Sequence, residues 1–367
     1  CNALGRDADE IVTASLDGRR GVGSVPPDRW DHDLYFDPSP HAQGRTYTRA
    51  GAFMHFECTR KDLGVAPQDF RTMSQSTRLT LFLARRAVRE SGLLESGIPG
   101  ERIAVLTSQN SAEGASTVKP LLYNVYGREI AGIAGRALRL TPEQRAAVIR
   151  ELEAEGLAVD DTTLIGRLNC TASGHICNMF GFGGPSYSVG AACASSLIAL
   201  YNAVLLIRAG VIDAAVVGGG EELLTSGHYL EFSALRSLAG LTGRGFEPER
   251  LSRPFDRDRD GFVLGEGGAV VVLERESLAR RRKAPVQAFI CGVGACTNHQ
   301  GIVESVAETQ TVALRAAFED SGFTGAALDL VECHGTSTMQ GDREEVTALK
   351  AFFPDNRGTV LTSFKSQ

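Results

Sequence analysis

A layered α/β fold is what this sequence predicts, on three observations. Short runs rich in Val, Leu and Ala stop at glycines or polar residues, at 105–107, 214–220 and 269–273, which is how buried strands read. Amphipathic helical patterns lie between those runs. The composition, 43% hydrophobic and 22% charged over 367 residues, is that of a globular protein long enough for its own core. It excludes a disordered chain, a coiled coil and a collagen-like repeat. The length suits two domains or one large layered unit.

The elements follow in order. Residues 74–91 gather Leu79, Leu81, Phe82, Ala84, Ala87 and Val88 on one face and leave Arg85, Arg86, Arg89 and Glu90 elsewhere, an amphipathic helix. Residues 141–160 start with Thr141-Pro142-Glu143-Gln144, a capped surface helix that reads as an insertion on the fold. Residues 194–209 are apolar almost all round, which predicts a helix buried inside a domain. A weak echo joins 87–93 to 317–323, each soon followed by a strand running into a polar turn, at 103–108 and 328–334. A duplicated α/β half and chance likeness of two helices both explain it.

The net charge of -6 argues against nucleic acid as a partner. No apolar run is long enough to cross a membrane, and no export or lipidation signal stands out. The eight cysteines, at 1, 58, 170, 177, 193, 291, 296 and 333, include no C-x-x-C pair, so no metal site is expected. Free thiols in a reducing cytoplasm are the expectation.

Four stretches carry possible chemistry. In 184–197 a short strand ends in small residues, then Cys193, then the apolar helix. A helix N-terminus stabilises a thiolate, so Cys193 is a candidate nucleophile; a packed core thiol is the other reading. In 331–342 a strand delivers His334 into a Gly/Thr/Ser turn, where it either exchanges protons with a ligand or is satisfied within the turn. Lys365 follows a short strand and by itself reads as a surface charge. The stretch 252–267 alternates Arg and Asp before glycines; it lacks the spacing of a calcium loop or a phosphate loop, so an ion-paired structural loop is expected.

Taken in order, these stretches resemble the β-ketoacyl synthases of fatty acid and polyketide synthesis. Ala192-Cys193-Ala194-Ser195-Ser196 is similar to the family's cysteine motif, 253–267 to its R-P-F-D-x-x-R-D-G-F-V-x-G-E-G, and 332–342 to its E-x-H-G-T-x-T-x-x-G-D. Lys365-Ser366-Gln367 resembles the start of K-S-N-I-G-H, with Gln where Asn is usual. The likeness spans essentially the whole chain.

The resemblance implies a thiolase-like fold, two pseudo-duplicated halves in five α/β layers. Residues 1–285 would be the N-terminal half, with an insertion at about 120–165, and 286–367 the start of the C-terminal half, clipped before a second family histidine. It implies a decarboxylative Claisen condensation with Cys193 as nucleophile, its backbone amide as half of the oxyanion hole, His334 stabilising charge on the malonyl thioester oxygen, and Lys365 organising the site. Thr336 and Thr338 would hold the pantetheine arm. Gln109, Asn110 and Ser111 fall near the family's acyl pocket, and their polarity suggests an unusual acyl chain. No bound cofactor is implied; phosphopantetheine would arrive on an acyl carrier protein, and a homodimer is usual. Residues 30–38 and 44–47 resemble ketosynthase domains of modular or polyunsaturated-type synthases, whereas Met73-Ser74-Gln75 resembles stand-alone elongating enzymes; a polyketide-type or specialised fatty acid synthase is favoured. A non-elongating ketosynthase and a non-catalytic partner subunit are the alternatives; the second type lacks the cysteine present here. A thiolase would lack the 332–342 pattern.

Overall fold

The computed structural model describes residues 1–108, 115–156, 161–222, 224–323, 328–354 and 358–367. A small antiparallel pair, β1 (Gly23–Ser24) and β2 (Ala50–Gly51), lies in the N-terminal strap. The main sheet consists of β3 (Ile103–Thr107), β4 (Ser186–Ser188), β5 (Ala214–Glu221) and β6 (Gly267–Glu274), in the order β4-β3-β5-β6. β3 runs parallel to β4 and β5, and β6 runs antiparallel to β5. A second parallel pair is formed by β7 (Leu330–Glu332) and β8 (Val360–Thr362).

The period of two along a strand explains the layering. Ile103 and Val105 of β3, with Ala214 and Val216 of β5, face helices Gln75–Glu90 and Thr171–Phe180. Ala104, Leu106, Ala215 and Val217 face the helix Ser195–Arg208 on the other side. Central strands covered on both faces need continuous apolar runs, and β3 is buried at every position. Ser74 caps the helix Gln75–Glu90 by accepting the Thr77 N–H, and Leu79, Leu81, Ala84 and Val88 are buried as their spacing predicts.

Two expectations need correction. The run 269–273 reads as a buried strand, yet β6 is the sheet edge and Val271 is 45% exposed. The helix Ser195–Arg208 is apolar all round, yet it buries only Ser195, Ala199, Ala203 and Val204, and Leu197 is 69% exposed. For β6 the reason is a groove at its side. Leu200, Val204 and Ile207 of this helix, β6 and residues 284–291 border an open groove of about 1860 Å³. Periodicity reports which faces are apolar, not which neighbour covers them.

The helix-then-strand order recurs. Gln75–Glu90 leads to β3 as helix Ala307–Ser321 leads to β7, which matches the echo in sequence. Helices Ala115–Ala137 and Pro142–Glu155 pack on each other, and the second buries none of its residues. Its start is a reciprocal cap in which the Thr141 hydroxyl accepts the Gln144 N–H and the Gln144 side chain accepts the Thr141 N–H.

A half-buried charge cluster fastens the N-terminal strap to the sheet. Arg29 reaches Glu222 just after β5 and Glu266 just before β6, both at 2.7 Å, and donates to the Met54 carbonyl at 2.9 Å. Burial pushes both carboxyls above the usual Glu range, against the opposing pull of Arg29. The folded chain therefore binds more protons here than the unfolded chain, so this contribution to stability is lost as pH rises above the usual Glu pKa of about 4.3. Glu266→Gln removes one carboxyl from that titration. Any stability deficit of the variant should narrow as pH rises from 5 to 8, read from thermal melts of both proteins; melting profiles that stay parallel would contradict this.

Candidate active site

Every candidate residue follows the carboxyl end of a parallel strand, where α/β sheets present their ligands. After β4 the chain passes through a 3-10 turn, Ala192–Ala194, and enters the helix Ser195–Arg208. Cys193 sits in that turn and is exposed. Ala192 before it has φ +48, a left-handed conformation that turns the chain sharply. The buried Ser195 hydroxyl ties the turn together: it accepts the Ala191 N–H at 2.8 Å and donates to the Ala192 carbonyl at 2.7 Å. The thiol thus stands open at the positive end of an apolar helix, with alanine on either side.

The second cluster forms where β7 and β8 end. His334 follows β7 and Lys365 follows β8, both exposed. The surrounding protein, and next the Lys365 ammonium, hold the His334 pKa below the usual histidine value, while Glu345 and Asp342 pull it back up. Thr336 and Thr338 share a hydroxyl–hydroxyl hydrogen bond of 3.0 Å and are half-buried. Sequence reasoning missed Glu345. Its carboxylate accepts the His334 N–H at 2.6 Å and the Gly335 N–H at 2.8 Å, so it fixes the backbone that carries the imidazole. The available signal was a carboxylate one helical turn after Asp342.

The stretch 252–261 packs against this loop. The Ser252 hydroxyl donates to the Lys365 carbonyl, and Arg259 donates to the carbonyls of Thr338 at 3.0 Å and Met339 at 2.8 Å. Ion pairs Arg244–Asp258 and Arg253–Asp256 brace the stretch. Gly335 has no room for a side chain: its φ is +41, and an added Cβ would stand 2.6 Å from Ser363 Cβ. Gly335→Ala should destabilise the chain by about 1–3 kcal/mol and shift His334 away from Lys365. Calorimetry and a condensation assay check it; an unchanged melting temperature with unchanged activity would count against it.

Thus His334, Thr336, Thr338 and Lys365 come together in one cluster. Cys193 follows β4 of the main sheet, and no hydrogen bond joins it to His334 or Lys365 among the described residues. Gln109, Asn110 and Ser111 lie outside the described residues.

Two family models cover nearly all of this chain: "Beta-ketoacyl synthase, N-terminal domain" over residues 2–279 and "Beta-ketoacyl synthase, C-terminal domain" over residues 287–367. The chain belongs to the β-ketoacyl synthase family. Among curated relatives, this ketosynthase chain is 30% identical to polyketide synthase GfsB of Streptomyces halstedii, covering 98% of itself and 6% of that protein. It is 31% identical to the spectinabilin polyketide synthase system protein NorC of Streptomyces orinoci, covering 98% of itself and 14% of that protein. It therefore spans a small part of these relatives. Among solved structures, the ketosynthase chain matches the oxazolomycin ketosynthase domain OzmH KS7 of Streptomyces albus JA3453 with a TM-score of 0.78 and 25% identity, covering 100% of itself and 59% of that chain. It matches a β-ketoacyl synthase from Burkholderia phymatum STM815 with a TM-score of 0.77 and 25% identity, covering 99% of itself and 78% of that chain. The fold is the thiolase-like α/β fold of ketosynthases, and the family is one of acyl-transferring synthases. No helix among the described residues is long and apolar enough to cross a membrane.

Proposed function

We propose that this ketosynthase chain catalyses decarboxylative Claisen condensation in polyketide assembly. One observation carries the reading: an exposed cysteine, Cys193, held in a tight turn at the N-terminus of an apolar helix. The turn leaves the sulfur open to an incoming thioester, with only alanine on either side. The thiolate attacks an acyl thioester, forming the Cys193 thioester and releasing the carrier thiol. A malonyl thioester then loses carbon dioxide, and the electron pair of the broken C–C bond becomes an enolate. The enolate carbon attacks the acyl carbonyl, a C–C bond forms, and the Cys193 thiolate leaves and takes up a proton.

The second cluster suits the malonyl half of the reaction. His334, neutral at pH 7 because its pKa is held down, donates an N–H to the oxygen on which enolate charge grows. The surrounding protein lowers that pKa most, and the Lys365 charge adds to the effect. The Thr336 and Thr338 hydroxyls would bind the polar pantetheine arm. An acyl carrier protein bearing phosphopantetheine is the partner this chemistry requires, and a homodimer in the cytoplasm is the expected setting. Residues 1–285 would be the N-terminal thiolase-like half, bearing the nucleophile, and 286–367 the start of the C-terminal half, bearing His334 and Lys365.

The test supplies an acyl thioester and a malonyl-loaded carrier and follows the carrier mass and carbon dioxide together. Condensation yields a carrier bearing the acyl group extended by two carbons, with one carbon dioxide released per product. Loading of the protein without extension would instead favour the non-elongating alternative.

A further inference from the structure

Cys193 follows a strand of the main sheet and His334 follows β7 of the second pair, so their spacing depends on what joins these layers. Cys193 stands just before the helix Ser195–Arg208, which is fastened to the main sheet through Ala199 and Ala203. The far end of that helix carries Arg208. Its Nη1 donates to both carboxylate oxygens of Asp320, at 2.6 and 2.5 Å, and its Nη2 donates to the Cys291 carbonyl at 3.2 Å. Asp320 also accepts the Val293 N–H at 2.7 Å. Arg208 thus holds two elements at once, the helix Ala307–Ser321 and the segment 291–293. Those two elements lie flush. A Cβ added at Gly292 would stand 2.2 Å from the Ala317 carbonyl oxygen, and one at Gly294 would stand 2.3 Å from that of Ala313. From Asp320 the packing continues to the histidine. Phe318 meets Phe352 and Phe353 with ring centroids 4.9 and 5.5 Å away, and the Glu344 carboxylate accepts the Ala307 N–H at 3.2 Å. These contacts join Ala307–Ser321 to the helix Met339–Phe352, whose Glu345 holds the His334 backbone.

We infer that Arg208 and Asp320 are positioning residues for condensation: their ion pair joins the helix that begins beside Cys193 to the one packed against the His334 cluster, and so sets the spacing between the acyl carbon and the malonyl carbon. The 14-residue helix spans about 21 Å, so Arg208 at its far end touches no substrate. The inference rests on the condensing reading, and it adds which pair governs the geometry of the second step. Loading needs Cys193 alone, whereas condensation needs Cys193 and His334 in register. The two side chains are 39% and 32% exposed, so the pair contributes little to stability. Its effect lies in alignment, where a displacement of about 1 Å costs as much as 100-fold in rate.

The test compares wild type with Arg208→Gln, Asp320→Asn and the double variant, using an acyl pantetheine thioester to load Cys193 and malonyl pantetheine for condensation. Each single variant should melt within about 4 °C of wild type. Loading should stay within about twofold, as should KM for malonyl pantetheine, while kcat for condensation falls about fivefold or more. The double variant should fall no further than the more impaired single variant, because both substitutions break the same pair. Arg208→Lys keeps a cation beside Asp320 and should recover most of kcat. Equal losses in loading and condensation, unchanged condensation in both single variants, or losses that multiply in the double variant would overturn the inference. So would a larger fall in melting temperature, since the pair would then be holding the fold together. A wild-type protein that loads but never condenses malonyl pantetheine would instead remove the condensing reading.

Discussion

Cys193→Ala should yield a folded chain that takes up no acyl group. The thiol is exposed and makes no structural hydrogen bond among the described residues, so its removal costs little stability. The Ser195 contacts that shape the turn do not involve the cysteine side chain and remain. Condensation should fall on the order of 10⁴-fold or more, as losing a nucleophile does. Matched melting curves and intact mass after acyl thioester treatment check both halves of this expectation. Cys170, Cys291 and Cys296 are exposed too, so peptide mapping must place the adduct. Equal acyl uptake by wild type and Cys193→Ala would contradict the assignment.

The second large effect is at His334. His334→Ala should lower condensation by about 10²–10³-fold, the size of losing one donor to a developing oxyanion, while acyl loading survives. The split matters because a fold defect would lower both steps together. The pH profile carries the same logic. The pKa of His334 is held below 6.5, so the neutral ring persists through pH 7 and the acid limb it causes lies below 6.5. Lys365→Ala removes a cation that lowers this pKa. The His334 pKa then rises, and the acid limb of kcat/KM for the malonyl substrate should move to higher pH. An acid limb that stays in place would show that Lys365 does not act through His334.

Much of this was legible in the residues, for physical reasons. β3 and β5 announce themselves because both faces are covered, so their runs are unbroken and end at polar or glycine residues. The helix Gln75–Glu90 shows its one apolar face. Cys193 was recognisable because small residues lead directly into an apolar helix. Other features had no local signal. Lys365 alone looks like any surface lysine; its meaning comes from His334, on the neighbouring strand β7. Glu345 and Asp342 act on backbone N–H groups, which every non-proline residue has, so sequence pattern cannot reveal which are their partners. The edge position of β6 and the half-open helix Ser195–Arg208 depend on which surfaces meet, and apolar periodicity is silent about that.

The most direct measurement is an intact-mass time course of the protein. It is given an acyl thioester, mapped by peptide, and then given malonyl-carrier protein. The account predicts an adduct on Cys193 that disappears when malonyl-carrier protein is added, as a product two carbons longer appears on the carrier. An adduct on another residue, or one on Cys193 that malonyl-carrier protein never discharges, would contradict the claim that this chain condenses through Cys193.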